Sequence, residues 1–164
     1  MPTTPRRWPL EAESEREAAM QAADEAVQIL QRAQTTLDSA RARVHGNQSL
    51  TLVLVTDTER YVSDALTRAD RVARFLSMAR AKPIHGRWPM VASKQREDAE
   101  TALQQASEFL GALEQVLRPV REKINTNPAL GEAIIADAAL LLARGLNRLE
   151  RVVRLLTEAG IGRD

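Results

Sequence analysis

The strongest constraint on this chain is that it resembles itself at a displacement of 80 residues. That shift sets Arg7-Trp8-Pro9 on Arg87-Trp88-Pro89, and the alignment continues without a gap. Identical pairs recur at Ala12/Ala92, Arg16/Arg96, Ala26/Ala106, Leu37/Leu117, Asn47/Asn127, Leu50/Leu130, Asp57/Asp137 and Leu76/Leu156. The 84 overlapping pairs contain 22 identities, where a composition this rich in Ala, Arg and Leu gives roughly six by chance. Two helices can share a heptad by convergence, but heptad spacing does not generate a repeated Arg-Trp-Pro or a repeated turn asparagine. The sequence therefore reads as a tandem duplication.

Each unit has the pattern helix, tight turn, helix. The first helix opens at Pro9 or Pro89, where a missing N–H and a fixed φ cost nothing. Ala12, Ala19, Ala26, Ala33 and Ala40 follow at seven-residue spacing, flanked by Ala23, Leu30, Leu37 and Val44. The second unit places Ala92, Ala99, Ala106, Leu113 and Val120 at the same spacing. Such a stripe is the seam of packed helices. The turns are His45-Gly46-Asn47 and Asn125-Thr126-Asn127. Gly46 is expected to take the left-handed conformation that ends a helix, with Asn47 and Asn127 capping the next one and Pro128 at its first position.

Leu50, Leu52 and Leu54 alternate in a Thr-rich run that also suits a strand. The aligned second copy, residues 129–142, is strongly helix-forming and decides for helix. Pro119 is expected to bend its helix without ending it, because apolar positions continue beyond it. The expected organisation is an N-terminal segment at 1–8, a first hairpin at 9–80, a linker at 81–88 and a second hairpin at 89–160. Together they make an all-α, antiparallel four-helix bundle of two tandemly duplicated hairpins. A hairpin alone is marginal, which gives duplication, or dimerisation of an ancestral hairpin, a physical purpose.

Composition narrows the function classes. The chain has no cysteine, so disulfides and thiolate metal sites are excluded, and cytoplasm is the default compartment. The net charge of +1 gives no global field toward nucleic acid. Twenty of the 23 basic residues are arginine, a usage common in high-GC bacterial genomes. Residues 1–8 carry two arginines without a following apolar run, unlike a signal peptide. The most apolar stretch, 133–143, is interrupted by Asp137 and too short to span a membrane.

Three sets of residues are candidates for function. Arg68, Arg71 and Arg74 recur as Arg148, Arg151 and Arg154, a spacing that suits an anion or an acidic partner. The structural alternative pairs them with the acidic helix starts at Glu11, Glu13, Glu15 and Glu17, or at Glu97, Asp98 and Glu100, and with the C-terminal helix dipole. Trp8 and Trp88 are either anchors for a partner or plugs over the end of the helices. Asp57 and Asp137 could form a buried polar pair, or Asp57 could meet a surface arginine.

No Glu-x-x-His, Gly-rich phosphate loop or nucleophile elbow is present in the sequence. The spacing of Arg80 and His85 is similar to the arginine, four residues, histidine pattern of the helical ribonucleases called HEPN domains. Pro83 departs from the helical setting which that family uses, and two residues establish no membership.

The resulting expectation is a non-enzymatic protein working through protein–protein interaction, as adaptor, scaffold or self-assembling subunit, without a cofactor. A small-ligand or enzymatic bundle with a polar site between the hairpins is the alternative. Anion or nucleic-acid binding through the repeated arginines is a lesser one, since no aromatics interleave with them. Amphipathic helices coating a lipid or polymer surface are disfavoured by the scarcity of aromatics and lysines.

Overall fold

The seven-residue apolar spacing does produce helices. The computed structural model describes residues 8–160, and among these the secondary structure is all-helical with no strand. After a 3-10 turn at Leu10–Ala12, α1 covers Glu13–Arg43, α2 Gln48–Ala81, α3 Met90–Leu117, α4 Val120–Thr126 and α5 Pro128–Ala159. The four long helices have 28 to 34 residues, or roughly 42–51 Å at 1.5 Å per residue. None is long and apolar enough to cross a membrane. The Thr-rich run after Leu50 is helical, as its partner segment required.

Each long helix packs against two others. α1 lies against α2 and α5, and α3 lies against α2 and α5. Among the described residues α1 does not touch α3, nor α2 α5. Twenty positions are buried at the same place in both halves, from Ala12 and Ala92 to Ala79 and Ala159. The two halves therefore present their seams in one register. Small and large residues are complementary across that core: α1 buries mostly alanine, whereas α5 buries Ile135, Leu142, Leu146, Leu149 and Leu156. At Gly145, which has Ala65 as its counterpart, an added Cβ would lie 2.8 Å from Leu110 Cδ2, so the missing methyl lets α5 approach α3.

The turns depart from expectation in one respect. Gly46 is not left-handed; the only positive φ among the described residues belongs to Gly86, at 77°, in the connection between α2 and α3. The first turn is instead closed by Asn47 N–H donating to Arg43 O at 2.8 Å. The second closes in the same way, Asn127 N–H to Lys123 O at 2.7 Å, with Thr126 where the first has glycine. A geometry that accepts threonine needs no glycine. The two asparagines cap as expected: Leu50 N–H donates to Asn47 Oδ1 at 3.0 Å and Leu130 N–H to Asn127 Oδ1 at 3.2 Å.

Pro119 interrupts the third long helix for two residues, Arg118 and Pro119, and both keep right-handed helical dihedrals. The buried stripe passes the interruption from Leu113 and Leu117 to Val120 and Ile124. What is lost is the hydrogen bond that proline cannot donate.

Because the two caps have matching geometry, Asn47→Ala and Asn127→Ala are expected to cost about 1 kcal/mol each. For a chain of this size that lowers the melting temperature by about 2–4 °C. Thermal unfolding by circular dichroism checks this; a cost confined to one cap would mean that the turns are not equivalent.

Candidate functional site

At one end of the molecule the starts of α1 and α3 meet the ends of α2 and α5, and the repeated Arg-Trp-Pro places its tryptophans there. Trp8 is fully buried and donates from Nε1 to Ala12 O at 2.9 Å, which ties it to the first helical turn. Its ring meets that of Trp88 edge to face, with centroids 4.8 Å apart and planes at 80°. This is the arrangement aromatic quadrupoles favour. The Arg96 guanidinium carbon sits 4.5 Å over the Trp88 ring, adding a cation–π contact in a site shielded from water. Trp8 is thus a plug and offers no exposed surface to a partner, contrary to its candidacy as an anchor; Trp88 is half-buried.

The repeat-related arginines Arg16 and Arg96 are both buried here. Arg16 donates from Nη1 to Leu156 O at 2.8 Å and from Nε to Glu13 at 3.1 Å, satisfying a free carbonyl in the last turn of α5 where the dipole favours a cation. Gly160 leaves it room, since a Cβ there would fall 2.6 Å from the guanidinium carbon. Arg96 lacks that bond to a helix end. It stacks on Trp88 and approaches Glu100, with Nε 3.3 Å from Oε1, without hydrogen-bonding geometry.

Glu11 and Glu15, among the acids at the start of the first hairpin, are bonded by neighbours other than the repeated arginine triplets. Lys82 Nζ donates to Glu15 at 2.8 Å, and His85 N–H donates to Glu11 at 2.7 Å. The Lys82 ammonium bonded to Glu15, and the His85 amide bonded to Glu11, hold both carboxyls below their ordinary value of 4.5. Burial lowers the pKa of Arg16.

The six repeated arginines divide by position. Arg71, Arg74, Arg151 and Arg154 are exposed, and among the described residues none of the four forms an ion pair. Arg68 is half-buried and pairs with Glu25 at 2.9 Å, one of the acids in mid α1 and not one at its start. Arg148, also half-buried, has its Nε buried without a hydrogen-bond partner. The two triplets lie on α2 and α5, which do not touch, so the fold keeps them apart.

Asp57 and Asp137 sit on the same two helices, Asp57 half-buried and Asp137 exposed. The buried pair is not formed, because Asp57 and Asp137 lie on helices that do not touch and Asp137 is exposed. Arg80 is exposed in the last turn of α2 and His85 lies exposed in the connection that follows. Among the described residues no three His, Asp or Glu side chains converge as a metal site.

Two clefts of about 340 Å³ flank α3. One, toward α2, is lined by Ala69, Asp70, Ser77, Glu100, Leu103 and Ser107 among others. The other, toward α5, is lined by Phe109, Leu140, Ala143, Arg144, Asn147 and Arg148. Sequence reasoning gave Arg16 and Arg96 no role and noted Arg144 only as a neighbour of the second triplet. The identity of Arg16 with Arg96 was the available signal for the first two; Arg144 carries none, being Asp64 in the other copy.

No protein family, curated protein or solved structure matches the chain.

Two outcomes follow for the tryptophan end. Trp8→Ala is expected to cost about 3–5 kcal/mol in denaturant unfolding, whereas a loss below about 1 kcal/mol would contradict the plug. The lowered value of Glu15 means that its bond to Lys82 stabilises the fold above pH 4.5 and fades as pH falls through the lowered value. The stability difference between the wild type and Glu15→Gln is expected to be level at neutral pH and to shrink on acidification. A difference independent of pH would contradict the pairing.

Proposed function

We propose that the chain is a four-helix bundle derived by duplication of one hairpin, and that it acts without catalysis as an adaptor or scaffold, binding acidic surfaces of protein partners. The observation that carries this reading is the placement of Arg71 and Arg74 on α2, and of Arg151 and Arg154 on α5. All four are exposed and, among the described residues, outside ion pairs. Since α2 and α5 do not touch, the two arginine sets are separate and can engage two partners, or two copies of one partner. Guanidiniums suit this role because their planar fork pairs bidentately with carboxylates. The duplication draws support from the twenty burial positions shared across the 80-residue displacement and from the matched turns.

A second reading, a small-ligand protein with its site between the hairpins, is favoured by one observation. The cleft between α2 and α3 borders Glu100, whose Oε1 is buried and faces Arg96 Nε at 3.3 Å as an ion pair without hydrogen-bonding geometry.

Charge reversal separates the two readings. Arg71→Glu with Arg74→Glu, and Arg151→Glu with Arg154→Glu, are expected to leave unfolding within about 0.5 kcal/mol of wild type. Each pair should weaken a copurified partner at least about tenfold in titration calorimetry, and the combined variant should abolish binding. Undiminished binding by the combined variant would refute the arginine-face reading.

A further inference from the structure

The two halves differ most tellingly around the third pair of repeated arginines. In the first hairpin Arg68 is neutralised by Glu25 at 2.9 Å, and Asp64 lies one turn before Arg68 on α2. The residue aligned with Glu25 is Gln105, and the residue aligned with Asp64 is Arg144. Arg148 has therefore lost its acid and gained a second arginine one turn away, where i and i+4 side chains are neighbours. Among the described residues neither Arg144 nor Arg148 has an ion-pair partner, and Arg148 Nε is buried with no hydrogen bond.

The surroundings change in the same direction. Arg60 in the first copy aligns with Leu140, which is 59% exposed, and Ile29 aligns with Phe109. A patch with two arginines and two carboxylates in one hairpin becomes, in the other, two arginines beside Phe109, Leu140 and Ala143, lining a cleft of about 340 Å³. A buried guanidinium N–H without an acceptor is costly, and a second positive charge beside it raises the cost. An incoming carboxylate at the guanidinium offsets the doubled positive charge, and an apolar side chain next to it covers Phe109 and Leu140.

We infer that the cleft between α3 and α5 is the specificity pocket of the second arginine face, and that it accepts an acidic segment of a protein partner in which a carboxylate adjoins a large aliphatic residue. This rests on the reading that the chain works through surface arginines and adds the identity of the group bound. Arg148 takes the carboxylate, Arg144 adds its charge, and Phe109 and Leu140 hold the aliphatic group.

The copies supply their own control, because Gln105→Glu should hand Arg148 the internal partner that Arg68 already has. The probe is an acetylated Leu-Glu-Leu-Glu peptide amide, compared with its Leu-Gln-Leu-Gln counterpart, titrated into isotope-labelled full chain and followed by backbone amide shifts. The acidic peptide is expected to shift Phe109 and residues 140–148, and to bind at least about tenfold more tightly than the amide version. Gln105→Glu and Arg148→Gln should each remove most of that difference while leaving the fold's spectrum intact.

Equal binding of the two peptides, or undiminished binding by Gln105→Glu, would overturn the assignment. So would shifts at the cleft that follow dilution of the free chain, since a second copy would then be the occupant. Octanoate binding where the peptide fails would assign the cleft to a free carboxylate and overturn the peptide segment. Because the probe reads this cleft alone, its failure leaves the Arg71 and Arg151 faces to their own test.

Discussion

Everything in this molecule depends on one apolar stripe that occurs twice in the same register. An isolated helical hairpin leaves one side of its stripe in water, and a core of this alanine content is too thin to compensate. Apposing the second stripe removes that exposure. The near-identity of the buried positions in the two halves, from Ala12 and Ala92 onward, follows because both stripes must reach the same interior. Because α1 does not touch α3, nor α2 α5, residues at matching positions on those helices are held apart along most of the molecule.

That constraint explains which features were legible in the sequence. Periodicity reports burial, so the helices, the seam at Ala19, Leu30, Ala99 and Leu110, and the helical state of the Thr-rich segment could all be read. The capping asparagines were legible because their role is local chemistry. Gly46 misled, since glycine permits a left-handed residue without requiring one, and the chain closed the turn with the bond that Thr126 also allows. Asp57 and Asp137 misled for a different reason: equivalence under the repeat says that two residues have the same environment, not that they meet. Trp8 and Trp88 do meet, with ring centroids 4.8 Å apart.

The arginines illustrate the boundary between upkeep and function. Arg16 is consumed by the fold, bonded to Leu156 O and Glu13, and Arg68 is consumed by Glu25. Arg71, Arg74, Arg151 and Arg154 are left to solvent, and Arg148 is left half-buried without an acid. Repeat identity alone could not sort these, because it marks all of them as equally retained. Differences between the halves carried the information instead: Glu25 against Gln105, and Asp64 against Arg144. In the proposed duplication, one copy keeps its charges internally balanced and the other turns them outward.

The central claim, that two equivalent hairpins share one core, is tested most directly by native-state hydrogen exchange across the full chain. The account predicts that the slowest amides recur 80 residues apart, along the buried stripes of α1 with α3 and of α2 with α5, and open together with one free energy. Protection that survives in residues 9–80 while residues 89–160 exchange freely, or the reverse, would contradict it.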